Sequence, residues 1–197
     1  MKTKLDSQSL DQLFLKARTH KTWTSRPVSD HQLQDLYDLV KLGPTSANSF
    51  PARFVWVKTA EGKSRLAACA MSANQQAILA APVTVIVGYD LDFAEKFPEL
   101  FPSRGEALKA MFDDEELTYT TALRNSSLQG AYLILAARAL GLDCGPMSGF
   151  DNEAVDREFF AGTRIRSNFI CSIGYGSGEA MFPRLPRLAF EAASLVA

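Results

Sequence analysis

Two arginine groups stand at opposite ends of this 197-residue chain: Arg18 near the start, and Arg184 with Arg187 in the run Pro183-Arg-Leu-Pro-Arg187. A guanidinium is a rigid fork of donors that fits phosphate oxygens, so two such groups brought together can clamp one phosphomonoester. Taken alone, each cluster reads as a solvated face, and only the fold can join them. A second pattern is the loop Gly43-Pro44-Thr45-Ser46-Ala47-Asn48-Ser49-Phe50-Pro51-Ala52-Arg53. Thr45, Ser46 and Asn48 concentrate hydroxyl and amide groups there, which can face a flat polar ligand. The same residues also make an ordinary polar turn that satisfies its own backbone, and composition alone favours the turn.

Other candidates carry less. Cys69, Cys144 and Cys171 are far apart and form no Cys-x-x-Cys, so neither a zinc knuckle nor a redox pair is supported. The chain has only His20 and His31 to serve as imidazole bases or ligands, so buried structural thiols are the default reading. The run Asp113-Asp-Glu-Glu116 reads as a solvated helix start rather than a metal site. Gly174-Tyr-Gly176-Ser-Gly178 follows a strand, but its third glycine is misplaced for a dinucleotide fingerprint, so a turn is expected.

With 21 Lys+Arg against 22 Asp+Glu, the formal charge of −1 offers no general attraction to nucleic acid or anionic membrane. A content of 47% hydrophobic and 22% charged residues is that of a globular chain, not a disordered one. One domain spanning 1–197 is expected. The absence of a paired cysteine framework and of an apolar leader in MKTKLDSQSL predicts a cytoplasmic protein. The apolar stretch Gly130–Ala137 is ended by Arg138 and is too short to span a bilayer.

The elements that must position these residues follow from periodicity. Leu10, Leu13, Phe14 and Ala17 predict a helix ending near Arg18. Ser29 with Gln32 forms a capping-box pattern for a second helix, stopped at Gly43-Pro44. Strands are predicted over 53–58, 83–87 and 169–174, and a single Ala-rich helix over 63–80. Residues 90–116 are irregular and read as a lid or excursion. A long helix over 125–140, apolar around most of its circumference, belongs at a domain centre or a subunit interface. Gly145-Pro-Met-Ser-Gly149 then reads as a loop. The mixed order predicts one α+β layered domain.

Taken in order, these segments resemble the nitroreductase family of FMN-dependent oxidoreductases. The likeness comprises Arg18-Thr-His20 with Trp23, Pro-Val-Ser-Asp at 27–30, Gly-Pro-Thr-Ser-x-Asn at 43–48 and Asn74 before Ala81-Pro-Val. It continues through Ala139-Leu-Gly-Leu-Asp143, Gly145-Pro-Met-Ser-Gly149 and the terminal Arg-Leu-Pro. The phrases at 43–48, Leu123-Arg-Asn-Ser-Ser127, Gly145–Phe150 and Arg184–Arg187 are closer to the malonic semialdehyde reductase subgroup of pyrimidine degradation.

The resemblance implies a nitroreductase-like fold, a mostly antiparallel central sheet flanked by helices in an intertwined homodimer. It implies FMN as cofactor and NADPH or NADH as reductant. The implied reaction is ping-pong reduction of a small aldehyde, malonic semialdehyde to 3-hydroxypropionate. Alternatives are a broad nitroaromatic or quinone reductase on the same scaffold, or a non-catalytic flavin-binding protein. By position, Arg18 and His20 are implied at the FMN phosphate and ring edge. Thr45, Ser46 and Asn48 are implied beside the ribityl chain and ring, and Asn74 at the pyrimidine side. Pro146, Met147, Ser148 and Gly149 are implied to turn their backbone toward flavin N5. Arg184 is implied at the phosphate, with Arg187 a second ligand. No side chain is catalytic in this scheme, because the flavin carries the hydride.

The chain departs from the family pattern in two places. His20 and Thr22 stand where Ser and a second basic residue are usual, so Thr19 or Lys21 is an alternative ligand to His20. Phe50-Pro51-Ala52 replaces Gln-Pro-Trp, which removes an amide and opens space where an aromatic would sit. Arg53 beside the loop reads as a strand-end surface arginine, with attraction of a substrate carboxylate as the other reading.

Overall fold

The computed structural model describes residues 3–179 and 181–197. Helix α1, Ser7–Leu10, is capped by Asp6, which accepts the Ser9 N–H at 2.7 Å, and widens into one π turn over Asp11–Leu15. It stops before the predicted end near Arg18 for a visible reason. Arg138 donates to Leu13 O, and Arg184 donates to Leu15 O and Ala17 O, so side chains take carbonyls that further helix would have satisfied. Helix α2, Asp30–Val40, carries the predicted capping box, with Ser29 accepting from Gln32 N and Gln32 reaching back to Ser29 N.

Strand β1, Ala52–Val57, leads to α3, Ala60–Ala68, and α4, Ser72–Ala80. The single helix predicted over 63–80 is therefore two. Its break is made by a distant segment: Ala70 bridges Phe150, and Met71 N donates to Gly149 O at 3.0 Å. Strand β2, Val83–Asp90, is buried on both faces except at its last residue. The irregular stretch resolves into short helices, α5, Phe97–Leu100, and α6, Gly105–Lys109, around Phe93, Phe97 and Phe112.

Helix α7, Glu115–Ala139, is longer than predicted. Its first ten residues are mostly charged or β-branched, with Leu117, Ala122 and Leu123 the aliphatic positions, which hid the helix from a reading based on aliphatic periodicity. Asp114 caps it by accepting the Leu117 N–H at 2.7 Å, so the acidic run is indeed a helix start. Strand β3, Asp143–Met147, occupies what read as a loop. Its Gly-Pro pair is tolerated because β3 is an edge strand. Helix α8, Asn152–Phe159, strand β4, Ile165–Gly174, and the short α9, Phe190–Ala193, complete the chain.

The four strands pair antiparallel in the order β1-β2-β4-β3. Alternation along β2 divides the core into two layers. Val83, Val85 and Val87 pack with Leu36, Val40, Leu133 and Ala137 beneath α2 and α7. Ile86, with Met147 and Ile170, packs with Leu66, Ile78 and Val155 beneath α3, α4 and α8. This is the predicted α+β arrangement of an antiparallel sheet between helices. Among the described residues, no helix is long and apolar enough to cross a membrane.

Candidate functional site

Residues 18–21 lie along the open side of β3. Thr19 forms a parallel bridge with Cys144, and His20 N donates to Cys144 O at 3.0 Å. Beyond that single bridge the side chains part. The His20 ring turns inward, only 10% exposed, with Nε2 3.3 Å from Asp143 Oδ1. It packs on Gly176, where any Cβ would overlap the imidazole. Arg18, Thr19 and Lys21 instead line a cleft of about 420 Å³.

The far end of the chain closes this cleft. Arg184 and Arg187 line it with Arg138, so the two arginine groups separated in sequence meet in space. Glu179 is the acid facing these cations. Arg18 donates to the carbonyl of Phe182, tying the C-terminal segment across the opening. Arg184 spends one nitrogen on Leu15 O at 2.8 Å and Ala17 O at 2.9 Å, so it both faces the cleft and ends α1. Arg138 donates to Leu13 O at 2.9 Å, and its buried Nε has no partner among the described residues. The sequence reading missed Arg138 as a site residue. Its signal was a lone cation ending an apolar helix face, where a positive charge also suits the helix C-terminus.

Beyond the end of β3 a second group forms where Phe150 bridges Ala70. Asn74 Nδ2 donates to Gly149 O at 3.0 Å, and Met71 N donates to the same oxygen. A Cβ on Gly149 would lie 2.6 Å from Asn74 Nδ2, so the glycine is needed for this close approach. Met147 is buried in the core, Pro146 is half-buried and Ser148 is exposed. The backbone, not the methionine side chain, is what this segment can offer a ligand.

The polar loop lies elsewhere. Ala47, Asn48 and Phe50 all hold positive φ, at 50°, 55° and 46°. Ser46 N donates to Asn125 Oδ1 at 2.8 Å, Asn48 Nδ2 donates to Leu100 O at 2.9 Å, and Thr45 Oγ1 accepts the Phe50 N–H at 3.2 Å. This loop feeds β1 at one edge of the sheet, whereas Arg18, Asn74 and Gly149 attend β3 at the other. Its anchor Asn125 is separated from Arg138 by about 20 Å of α7. The polar loop and the basic cleft thus attend opposite edges of the sheet.

The remaining candidates are structural. Arg53 is spent on Asp90 at 2.6 Å and on the carbonyls of Phe50 and Ala52, which closes the β1–β2 end. The reading of Arg53 as a free carboxylate receptor is therefore replaced by the strand-end reading. Gly176 forms an antiparallel bridge with Trp23 just past β4, so the segment expected to turn continues as extended pairing there. Cys144 and Cys171 are fully buried, and a hydrogen bond with Cys144, together with burial, pushes the Cys171 thiol well up. Burial also raises the Cys69 thiol. Such thiols are poor nucleophiles.

The donor set fits a phosphorylated ligand with a flat polar head. Arg18, Lys21, Arg138, Arg184 and Arg187 make one end electropositive, and the Asn74 amide packed on Gly149 makes the other end polar. Among the described residues the imidazole–carboxylate pair beside the cleft is His20 with Asp143, and the His20 ring is turned inward and largely buried.

Known proteins resemble this chain in sequence and in fold. A relative from Caulobacter sp. (strain K31) is 60% identical over 98% of this chain and 98% of its own; it bears the provisional name NADH dehydrogenase/NAD(P)H nitroreductase. Two solved structures share the fold. The Bacillus subtilis protein ydfN, provisionally a nitroreductase, has a TM-score of 0.89 at 21% identity, covering 98% of this chain and all of its own. An Exiguobacterium sibiricum 255-15 protein, also provisionally a nitroreductase and solved in complex with FMN, has a TM-score of 0.88 at 20% identity over the whole of both chains. The Nitroreductase family model matches residues 15–175, and the chain belongs to that family.

Proposed function

We propose that this chain is one half of a dimeric FMN-dependent NAD(P)H oxidoreductase. The observation that carries the reading is the basic cleft of Arg18, Lys21, Arg138, Arg184 and Arg187, on the β3 edge of the sheet, with Asn74 and Gly149 gathered just past the end of β3. In this reading Arg18, Arg184 and Arg187 hold the phosphate, and Lys21 and Thr19 serve where His20 was first expected. The inward His20 ring positions that segment. Asn74 and the backbone of Pro146–Gly149 hold the ring end. Bound FMN supplies the two-electron redox chemistry that the side chains lack. The FMN complex of the Exiguobacterium protein and the NAD(P)H in the Caulobacter relative's name support both cofactors.

A second copy of the chain is supported by the polar loop and the basic cleft lying at opposite edges of the sheet, because Thr45, Ser46 and Asn48 reach such a ligand only from a neighbouring subunit. The C-terminal arm supports it too. Phe182 is 75% exposed and Leu188 77%, with Leu185 and Phe190 exposed beside them, an apolar surface that a monomer would leave in water. Light scattering with a flavin assay is expected to give a particle of two chains carrying one FMN per chain. A flavin-loaded monomer would contradict the shared site.

The finer form of the proposal is reduction of malonic semialdehyde to 3-hydroxypropionate, supported by the phrases at 43–48, 123–127, 145–150 and 184–187. A second reading, a nitroaromatic or quinone reductase, is favoured by the name of the Caulobacter relative. Comparing kcat/KM decides between them. The aldehyde should exceed nitrofurans by tenfold or more; the reverse order selects the second reading.

A further inference from the structure

Helix α7 presents three polar groups, Asn125, Gln129 and Tyr132, spaced by four and then three residues along one side. All three point to the segment 44–52. Asn125 Oδ1 accepts the Ser46 N–H at 2.8 Å, Gln129 Oε1 accepts the Ala52 N–H at 2.9 Å, and Tyr132 Oη donates to Pro44 O at 2.9 Å. The Tyr132 ring lies on Gly43, where any Cβ would overlap it. Asn125 is 2% exposed and Gln129 0%, an unusual depth for side-chain amides. Neither is needed to build the helix, so their cost is offset by what they hold.

What they hold is strained. Ala47, Asn48 and Phe50 occupy the left-handed region, which alanine and phenylalanine adopt only when surrounding structure insists. A free loop of this sequence would leave that conformation. We infer that Asn125, Gln129 and Tyr132 are positioning residues, a ladder that fixes the left-handed shape of the 44–52 loop and thereby aims Ser46 and Asn48 outward toward the flavin site of a second subunit. The inference rests on the proposed cofactor site, and it gives a task to the Asn125 of Leu123-Arg-Asn-Ser-Ser127. Gln129 Nε2 and Ser49 Oγ are buried with no partner among the described residues, so the ladder carries polar cost beyond the bonds it makes.

The test uses the full-length protein stripped of flavin. Asn125→Ala is expected to speed amide hydrogen exchange at Ser46 at least tenfold and to weaken FMN binding, read by flavin fluorescence, by about tenfold, as expected for one lost hydrogen bond. Adding Ala47→Gly, which removes the left-handed penalty, should recover a substantial part of that affinity. A merely structural role predicts no such recovery. Tyr132→Phe removes only the hydroxyl, so it keeps the fold testable should Asn125→Ala fail to fold. It should weaken FMN binding about threefold without moving the melting temperature. Wild-type exchange at Ser46 in Asn125→Ala, unchanged FMN affinity in Tyr132→Phe, or no recovery on adding Ala47→Gly would overturn the ladder. A wild-type protein that takes up no FMN would overturn the cofactor reading instead, and the exchange measurement does not depend on it.

Discussion

Replacing Arg18 by alanine is expected to weaken FMN binding by about 10- to 100-fold while leaving riboflavin binding nearly unchanged. The reasoning starts from position. Arg18 is half-buried, lines the cleft with Lys21, Arg138, Arg184 and Arg187, and approaches from the segment paired to β3. A charge-assisted hydrogen bond to phosphate is worth about 1.5–3 kcal/mol, which converts to that range of affinity. Riboflavin lacks the phosphate, so its binding reports any general damage to the cleft. Titrating both ligands into wild type and Arg18→Ala separates the two causes, and an equal fall for both would remove the phosphate assignment. Arg18→Lys should fall between, because a point charge replaces a two-pronged donor. Arg184→Ala should weaken both ligands more than Arg18→Ala does: Arg18 holds one carbonyl, that of Phe182, whereas Arg184 holds Leu15 O and Ala17 O at the end of α1.

The second large effect lies at the other end of the site. Gly149→Val should cost about 1–3 kcal/mol of stability and at least tenfold in FMN affinity. Even a single Cβ would stand 2.6 Å from Asn74 Nδ2 and 3.2 Å from Met71 Sδ. The chain must then shift, and the shift breaks the bonds from Asn74 Nδ2 and Met71 N that both end on Gly149 O. Those bonds also define the gap between α3 and α4. Thermal melting of the stripped protein reads the first cost, and flavin titration reads the second. A variant with wild-type melting and wild-type flavin affinity would show that nothing approaches this backbone.

The elements that were legible in the sequence are those whose signals are local. Ser29 and Gln32 close their capping box within one turn, and the apolar run of β2 needs no partner to be seen as a buried strand. The gap between α3 and α4 was not legible, because an Ala-rich segment has every local reason to remain one helix. It is opened by Gly149 and Phe150, far along the chain. Strand β3 was hidden by its own Gly-Pro pair, which only an edge position excuses.

The candidate site divides the same way. Residue type alone pointed to arginines for phosphate, but nothing in their spacing says that Arg18 and Arg184 meet. The inward turn of His20 belongs to a segment bonded to Cys144, a pairing that a sequence does not display. Arg138 was visible only as the end of an apolar stretch. The separation of the polar loop from the basic cleft is a property of strand order, with β1 and β3 at opposite edges, and it is why the proposed flavin site calls for two subunits.

The central claim is that this chain builds a working flavin site, and one absorption spectrum tests it most directly. Purified protein, reconstituted with FMN and passed through a desalting column, should retain the yellow flavin bands and lose them on anaerobic addition of NADPH or NADH. Protein that emerges colourless, or that keeps its colour in excess of both reductants, would contradict the account.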